Sequence, residues 1–427
     1  GFLAVILVGT LLLMLPFASR EPGSAPFLDA LFTATSATCV TGLIVHDTAT
    51  YWSYFGQVVI LLLIQIGGMG VVTITIAVAM VSGKKIGLMQ RSLMQESISA
   101  PQVGGIVKLT GFILKTSLII EMIGAALLAP VFCNDLGFAK GLWYSLFHSI
   151  SAFCNAGFDI LGTTEQTFPS LTGYIANPLI NLVIMLLIVI GGIGFLTWDD
   201  FCTNKWNLKR YRLQSKIILV TTAVLILLPA VFFFLIDFTG FSVGKRILAS
   251  LFQSVTLRTA GFNTADLGAM SDSSKAIMIL MMLIGGSPGS TAGGMKTTTI
   301  AVLILNAFAT FGREPETEVF GRRFDNTVVK NAATIAILYF FLFFAGGIAI
   351  SQIEHVALSD CLFETASAVG TAGLTLGITT ELGLVSHLIL VVLMYLGRVG
   401  GLTLIYAAIS VKIQSGAKRP LDKITVG

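Results

Sequence analysis

Eight long apolar segments run through the chain and constrain its fold more than any other feature. A helix needs about 20 apolar residues to cross a bilayer. Segments that meet or nearly meet this length lie at 1–19, 57–81, 106–133, 178–198, 214–237, 275–309, 329–352 and 385–411. Only 11% of the residues are charged, against about 25% in soluble proteins. The sequence therefore predicts an all-α membrane protein with eight transmembrane helices, and it excludes soluble enzymes and nucleic-acid-binding modules.

A shorter apolar stretch lies between the two members of each pair of long segments. These stretches are at 27–37, 140–153, 245–257 and 358–369. Because they have about 10–14 residues, they are too short to span a bilayer and suit re-entrant helices. We expect each one to enter the membrane, stop part of the way through and return by a loop.

The distribution of basic residues predicts which loops face the cytoplasm. Most Lys and Arg residues fall in the loops at 82–108, 199–216 and 310–330 and in the tail from 412. The positive-inside rule places these loops and the C-terminus in the cytoplasm. The loops of the opposite side are acidic, so they would concentrate cations near an entrance.

A four-residue motif ending in Gly-Phe or Gly-Leu follows each of the short apolar stretches. A Leu-Phe pair precedes it, with 10, 10, 9 and 10 residues from Phe to Gly, so the third copy is one residue short. The four copies, called here the glycine segments, are Val40-Thr41-Gly42-Leu43, Asn155-Ala156-Gly157-Phe158, Thr259-Ala260-Gly261-Phe262 and Thr371-Ala372-Gly373-Leu374.

A second glycine motif recurs in the long segment after each glycine segment. Its copies begin at Ile66, Ile190, Ile284 and Leu396. Two motifs in the same order four times predict four parallel repeats of helix, re-entrant pore helix, loop and helix around a central pore with pseudo-fourfold symmetry. The predicted units are 1–81, 106–198, 214–309 and 329–412, followed by a cytoplasmic tail at 413–427.

Four such loops around one axis predict a passage for a cation. A glycine in each loop permits backbone conformations closed to other residues and leaves carbonyl oxygens free to line an opening. The negative ends of the re-entrant helices would point at the same place. Rings of carbonyls favour a desolvated monovalent cation.

The layout and the four glycine segments resemble the Trk/Ktr/HKT superfamily of potassium transporters, and most closely the membrane subunits of bacterial Ktr potassium uptake systems. The resemblance implies that the glycine segments form a selectivity filter for K⁺, with Na⁺ a further candidate, and that the protein needs no organic cofactor. It also implies a homodimer in the bacterial plasma membrane with one pore per subunit, and a cytosolic ring of nucleotide-binding regulatory subunits. In plant relatives that prefer sodium, Ser replaces the first filter glycine, so Gly42 favours potassium.

The third and fourth copies of the second motif depart from the pattern and predict a gate. The third continues into a polar, glycine-rich stretch at 286–297 that cannot be a regular helix. In the fourth, Arg398 replaces a glycine at mid-membrane, where an arginine costs at least about 2.5–3.5 kcal/mol and must be paired. We expect a movable intramembrane loop held by this arginine. The gate residues are Gly286, Ser287, Pro288, Gly289, Ser290, Thr291, Gly293, Gly294, Lys296 and Arg398.

Two other readings remain open at this stage. An alternating-access carrier for a small solute, or a Na⁺/K⁺ symporter, would also use broken helices. The stretch from Gly285 to Gly289 fits the G-x-S-x-G turn of serine hydrolases. That turn needs a histidine base, and all four histidines map to the outer side or its edge.

Overall fold

The computed structural model describes residues 1–74 and 105–400, with single positions at 87, 91, 92 and 95 between them. The predicted cytoplasmic tail at 413–427 lies outside the described residues. So do the last residues of the first and fourth predicted units and nearly all of the basic loop at 82–108.

The described chain is predominantly helical. Fifteen α-helices follow one another in the described ranges, together with short 3₁₀ turns at Thr172–Tyr174, Leu208–Arg210 and Ile378–Glu381. The helices are α1 (Phe2–Leu13), α2 (Phe27–Cys39), α3 (Thr48–Tyr51), α4 (Tyr54–Met69), α5 (Ile106–Leu136), α6 (Phe138–Phe153), α7 (Pro178–Gly192), α8 (Phe195–Asn204), α9 (Leu213–Ile236), α10 (Val243–Thr256), α11 (Asp272–Leu283), α12 (Thr297–Phe311), α13 (Asn326–Glu354), α14 (Leu358–Gly370) and α15 (Leu384–Val399).

One small antiparallel hairpin interrupts the predicted all-α fold. It pairs β1 (Glu318–Val319) with β2 (Arg322–Arg323) in the basic loop between α12 and α13. Phe320 and Gly321 form its turn, and both have positive φ angles. The turn geometry suits a two-residue hairpin, in which both central residues take positive φ.

Three helices are long and apolar enough to cross a bilayer in the described part of the chain. These are α5, α9 and α13, with 31, 24 and 29 residues. The pair α7 and α8 passes the same test only as a bent span, with an angle of 98° between its halves. Helices α1, α4, α12 and α15 are apolar but have 12–16 residues. The predicted count of eight continuous spans is therefore not confirmed.

Glycines interrupt three of the predicted spans. In the segments predicted to run to 81, 198 and 411, helices end at Met69, Gly192 and Val399; residues 75–81 and 401–411 lie outside the described residues. The residue at or just after each end is Gly70, Gly194 or Gly400, with φ between 85° and 93°. Because a positive φ cannot continue a right-handed helix, the second glycine motif breaks each helix at a place where an apolar count alone predicts an uninterrupted one.

Short helices stand at all four positions predicted to be re-entrant. They are α2, α6, α10 and α14, called here the pore helices. The phenylalanine of the Leu-Phe pair in each pore helix has no exposed surface; these residues are Phe32, Phe147, Phe252 and Phe363. The middle of each pore helix therefore packs in apolar surroundings, and a glycine segment follows its C-terminal end.

Candidate functional site

All four glycine segments share one backbone conformation. The first residue of each has a positive φ of 53–60°, and the glycine has a positive φ of 70–95°. The first residues are Val40, Asn155, Thr259 and Thr371. For a residue with a side chain, the left-handed conformation costs about 1–2 kcal/mol. Strain of this kind persists where surrounding structure enforces it, which is typical of functional sites.

The four glycines lie next to one another in a closed ring that follows the chain order. A Cβ built on Gly42 would lie 2.5 Å from the carbonyl oxygen of Ala156, and one on Gly157 would lie 2.7 Å from that of Ala260. A Cβ on Gly261 would lie 3.1 Å from the carbonyl oxygen of Ala372. A Cβ on Gly373 would lie 2.1 Å from the carbonyl oxygen of Thr41, and this contact closes the ring. Any larger residue would meet a backbone carbonyl of the neighbouring segment.

The pore helices hold the glycine segments by matching backbone hydrogen bonds. The second residue of the segment donates its N–H to the carbonyl five residues earlier in three cases, as in Thr41 to Ser36 at 2.8 Å. In the third segment Ala260 donates to Thr256, only four residues earlier, at 3.0 Å. The third segment is thus one residue short in structure as it is in sequence, and the shorter turn absorbs the difference.

Several buried hydroxyl groups near the ring have no hydrogen-bond partner among the described residues. They include those of Thr41, Thr259 and Thr371, one in each of three glycine segments. A buried hydroxyl without a partner costs about 1–3 kcal/mol. A buried polar group without a partner in a folded chain needs a physical account.

The second glycine motif lets each long helix touch the end of its own pore helix. A Cβ on Gly67, Gly191 or Gly397 would lie 2.0–2.2 Å from the carbonyl oxygen of a residue at the end of α2, α6 or α14. The contact is the same in the first, second and fourth units. In the third, Gly285 packs instead against the Gly293 carbonyl, because α11 ends at Leu283 and the chain folds back on itself.

The polar stretch between α11 and α12, called here the α11–α12 loop (residues 284–296), is not helical. It is bonded to the ends of two neighbouring helices. Ser287 and Thr291 donate their N–H groups to the carbonyls of Gly192 and Gly191, at 2.9 and 3.2 Å. Gly294 donates to Gly397 at 3.2 Å. The loop therefore fills the space between the helix ends formed by the second glycine motif.

The same loop lies against two glycine segments. The Thr291 hydroxyl donates to the Phe153 carbonyl and contacts the Asn155 side-chain oxygen at 3.1 Å. A Cβ on Gly293 would lie 2.3 Å from the Thr371 hydroxyl oxygen. The α11–α12 loop thus touches the first residues of the second and fourth segments, at the end where each segment leaves its pore helix.

Arg398 joins this loop to α4. Its guanidinium donates to the carbonyls of Thr291 and Gly67, and to that of Gly68 at 3.2 Å. The structure therefore pairs Arg398 with backbone oxygens, as its position in the sequence requires. The C-terminal end of a helix carries about half a negative charge, which favours a cation at the end of α4.

The remaining predicted gate residues bond mainly within the loop. The Lys296 ammonium donates to the Ala292 carbonyl at 2.8 Å. The Ser287 hydroxyl is fully buried and lies 3.1 Å from the Thr297 hydroxyl. No histidine bonds to Ser287 in the described residues, so the hydrolase turn has no base beside it.

The sequence reasoning missed one buried acid inside an apolar segment, and it did not foresee one contact of Asn155, a predicted filter residue. Glu121 of α5 accepts a hydrogen bond from Gln65 of α4 at 2.9 Å, and Glu121 is 2% exposed. Asn155 reaches sideways, and its amide donates to the Arg258 carbonyl at 3.2 Å. A lone acid in an apolar run is a detectable feature, whereas the bridge made by Asn155 depends on how the segments meet.

A multi-pass helical fold and a ring of glycine segments define a membrane transport protein. The TrkH family, described as a cation transport protein, matches residues 2–417. The potassium/sodium uptake protein NtpJ of Enterococcus hirae is 38% identical over all of this chain and 96% of its own length. The Ktr system potassium uptake protein B of Bacillus subtilis is also 38% identical, over all of this chain and 95% of its own.

The solved structure of the potassium transporter TrkH from Vibrio parahaemolyticus has the same fold. The two structures match with a TM-score of 0.73 at 21% sequence identity, and the match covers 96% of this chain and 84% of the TrkH chain. The chain belongs to the TrkH family of cation transport proteins. It is a transporter of the membrane and not an enzyme, so the hydrolase reading of Ser287 is wrong.

Proposed function

We propose that this chain is the ion-translocating subunit of a potassium uptake system. Two relatives at 38% identity carry names of potassium or potassium/sodium uptake proteins, and both align along the whole chain. We extend the activity in these names to this protein. K⁺ is the substrate, and Na⁺ is the second ion to test.

The closed ring of four glycines is the observation that carries the proposal. Backbone carbonyls at such a ring replace the water shell of a cation that enters it. Four segments from one chain supply these oxygens, so a single subunit suffices for one pore. The proposed filter residues are residues 40–43, 155–158, 259–262 and 371–374.

The α11–α12 loop is the proposed gate. It is non-helical at membrane depth, where irregular backbone is tolerated only beside a cavity or inside protein. It touches the second and fourth segments and is linked by Arg398 to α4. Opening would require breaking these bonds, while the positive charge of Arg398 repels cations from the closed passage.

The remaining parts of the proposal concern assembly. Two relatives, from Bacillus subtilis and Vibrio alginolyticus, are named as proteins of a Ktr system. By extension, this chain forms a homodimer with one pore per subunit and binds a cytosolic ring of nucleotide-binding regulatory subunits. Basic loops, including the described part at 199–216, would face that ring in the cytoplasm.

An alternating-access carrier or symporter is the second reading, and it is not favoured. Such a carrier holds its solute at one dehydrated site between repeats of opposite orientation. The four converging segments with one backbone conformation fit a continuous filter better.

Growth of a potassium-uptake-deficient bacterium at low external K⁺ tests the proposal. The wild-type chain should restore growth. In Gly42→Ser the ratio of K⁺ to Na⁺ uptake should fall about tenfold, because the added side chain meets the Ala156 carbonyl. Gly240→Ser is the matched control, since Gly240 has open space around it. An unchanged uptake ratio in properly folded Gly42→Ser would refute the filter.

A further inference from the structure

The residue after the Leu-Phe pair is polar and buried in every pore helix. The four residues at this position are Thr33, His148, Gln253 and Glu364, each at most 2% exposed. They therefore stand behind the glycine segments at equivalent places. The four side chains differ in chemistry, so the four pore helices offer different hydrogen-bonding groups at this position.

Glu364 is the member of this set that bonds to the chain leaving its glycine segment. One carboxylate oxygen accepts the Thr375 hydroxyl at 2.5 Å and the Leu376 N–H at 3.0 Å. The other accepts the Thr379 hydroxyl at 2.5 Å. Thr375 directly follows Leu374, so the carboxylate ties the exit of the fourth segment to its own pore helix.

His148 and Gln253 are engaged elsewhere. His148 Nδ1 lies 2.7 Å from the Tyr144 carbonyl in the same helix. The Gln253 amide lies 3.1 Å from the Met278 sulfur. Among the four equivalent residues, all of which the structure describes, only Glu364 has a hydrogen bond to the residues beyond its segment.

The fourth segment is one of the two that the α11–α12 loop touches. At its opposite end it touches the α11–α12 loop, where a Cβ on Gly294 would lie 2.6 Å from the Gly370 carbonyl. A movement of that loop disturbs Thr371 and the residues after it. Hydrogen bonds at the other end of the fourth segment would then keep its backbone conformation in place.

We propose that Glu364 is a positioning residue that fixes the fourth glycine segment and thereby maintains ion selectivity when the α11–α12 loop moves. The inference rests on the proposed filter and gate. Three hydrogen bonds from the chain that leaves the segment converge on this one side chain. Hydrogen bonding, and not the net charge of the carboxylate, is the property that matters.

Replacements at Glu364 test this through the ratio of K⁺ to Na⁺ uptake. Glu364→Ala removes all three acceptors, and the ratio should fall about tenfold. Glu364→Gln keeps the oxygen that binds Thr375 and Leu376, so the ratio should stay within about twofold of the wild type. A ratio in folded Glu364→Ala equal to the wild-type value would overturn the inference.

Glu354 provides a matched control. It is also a carboxylate near a helix end, and it accepts the Gly383 N–H at 2.9 Å and the Ser386 hydroxyl. Its two bonds go to residues at the start of α15 and not to the fourth glycine segment or to the chain that leaves it. Glu354→Ala should leave the uptake ratio unchanged, and a fall equal to that of Glu364→Ala would refute a specific role for Glu364.

A double variant covers the case in which Glu364→Ala fails to fold. Thr375→Val with Thr379→Val removes two donors while leaving the carboxylate in place, and the ratio should fall by a similar factor. An unchanged ratio in this double variant contradicts the inference.

The Gly42→Ser variant separates the proposed filter from the proposed role of Glu364. If Gly42→Ser lowers the ratio but the Glu364 and threonine variants do not, the filter is supported and the role of Glu364 is refuted. If Gly42→Ser has no effect, the filter itself falls.

Discussion

Arg398 illustrates how one residue is tolerated at membrane depth. Its charge has no carboxylate partner among the described residues, and its donors go to backbone oxygens of α4 and the α11–α12 loop. The planar guanidinium has five donors in a fixed fork, so it can reach both elements together. A lysine has a single ammonium and cannot bridge them with the same geometry.

Replacing Arg398 tests whether this bridge restrains a gate. We expect Arg398→Ala to raise K⁺ flux several-fold in purified protein reconstituted in liposomes, because the loop loses its bond to α4 and the passage loses a repelling charge. Arg398→Lys should give an intermediate flux. Arg212→Ala is the control, since Arg212 bonds Asp199 outside the passage. Unchanged or lower flux in folded Arg398→Ala would contradict the gate.

At the scale of the elements, backbone contacts set how closely a long helix approaches a pore helix. Gly67, Gly191 and Gly397 each face a carbonyl at a distance that no side chain permits. These contacts bring the helix ends to the glycine segments and to the α11–α12 loop. Close approach, and not flexibility, is the reason for glycine at these places.

Gly67→Ala should therefore destabilise the fold. A Cβ there would lie 2.0 Å from the Thr38 carbonyl, a backbone atom that cannot move aside without shifting α2. Overpacking of this kind costs about 1–3 kcal/mol. Gly244→Ala in α10 is the control, because Gly244 has no atom within 4 Å. Thermal unfolding of the detergent-solubilised protein should separate the two, and equal melting temperatures would refute the packing argument.

At the scale of the whole molecule, the long helices face outward. Only 28–33% of the most apolar windows of α5, α9 and α13 is buried inside the chain. Exposed residues such as Leu118, Leu228 and Phe341 suit contact with lipid or with a second subunit. The glycine ring lies within one chain, so the proposed pore does not depend on a partner for its lining.

Mixed dimers test this independence. In the proposed homodimer, a wild-type subunit paired with a transport-inactive one should retain about half of the K⁺ uptake of the wild-type pair, because each subunit would carry its own pore. Differently tagged subunits, purified in two affinity steps, provide the sample, and a wild-type pair with the same two tags is the control. Loss of nearly all uptake in the mixed dimer would mean that the passage is shared.

Much of this protein follows from its sequence, because both motifs are local. The length of apolar runs predicts helices, the four short apolar stretches predict the pore helices, and the one-residue difference of the third copy is visible in the spacing of its motif. An isolated arginine in an apolar run predicts a buried, paired charge. Each of these depends on residues near one another in the chain.

Other features were decided only by tertiary structure. The breaks at the ends of α4, α7 and α15 fall at glycines with positive φ, which an apolar count does not detect. The partners of Arg398 and Glu364 lie up to 331 residues away or on the far side of a loop. The sequence by itself determined which elements form and where polar groups enter the membrane. Only the folded chain decided which carbonyl meets which side chain, because those contacts join residues that are distant in the sequence and meet only when the helices pack together.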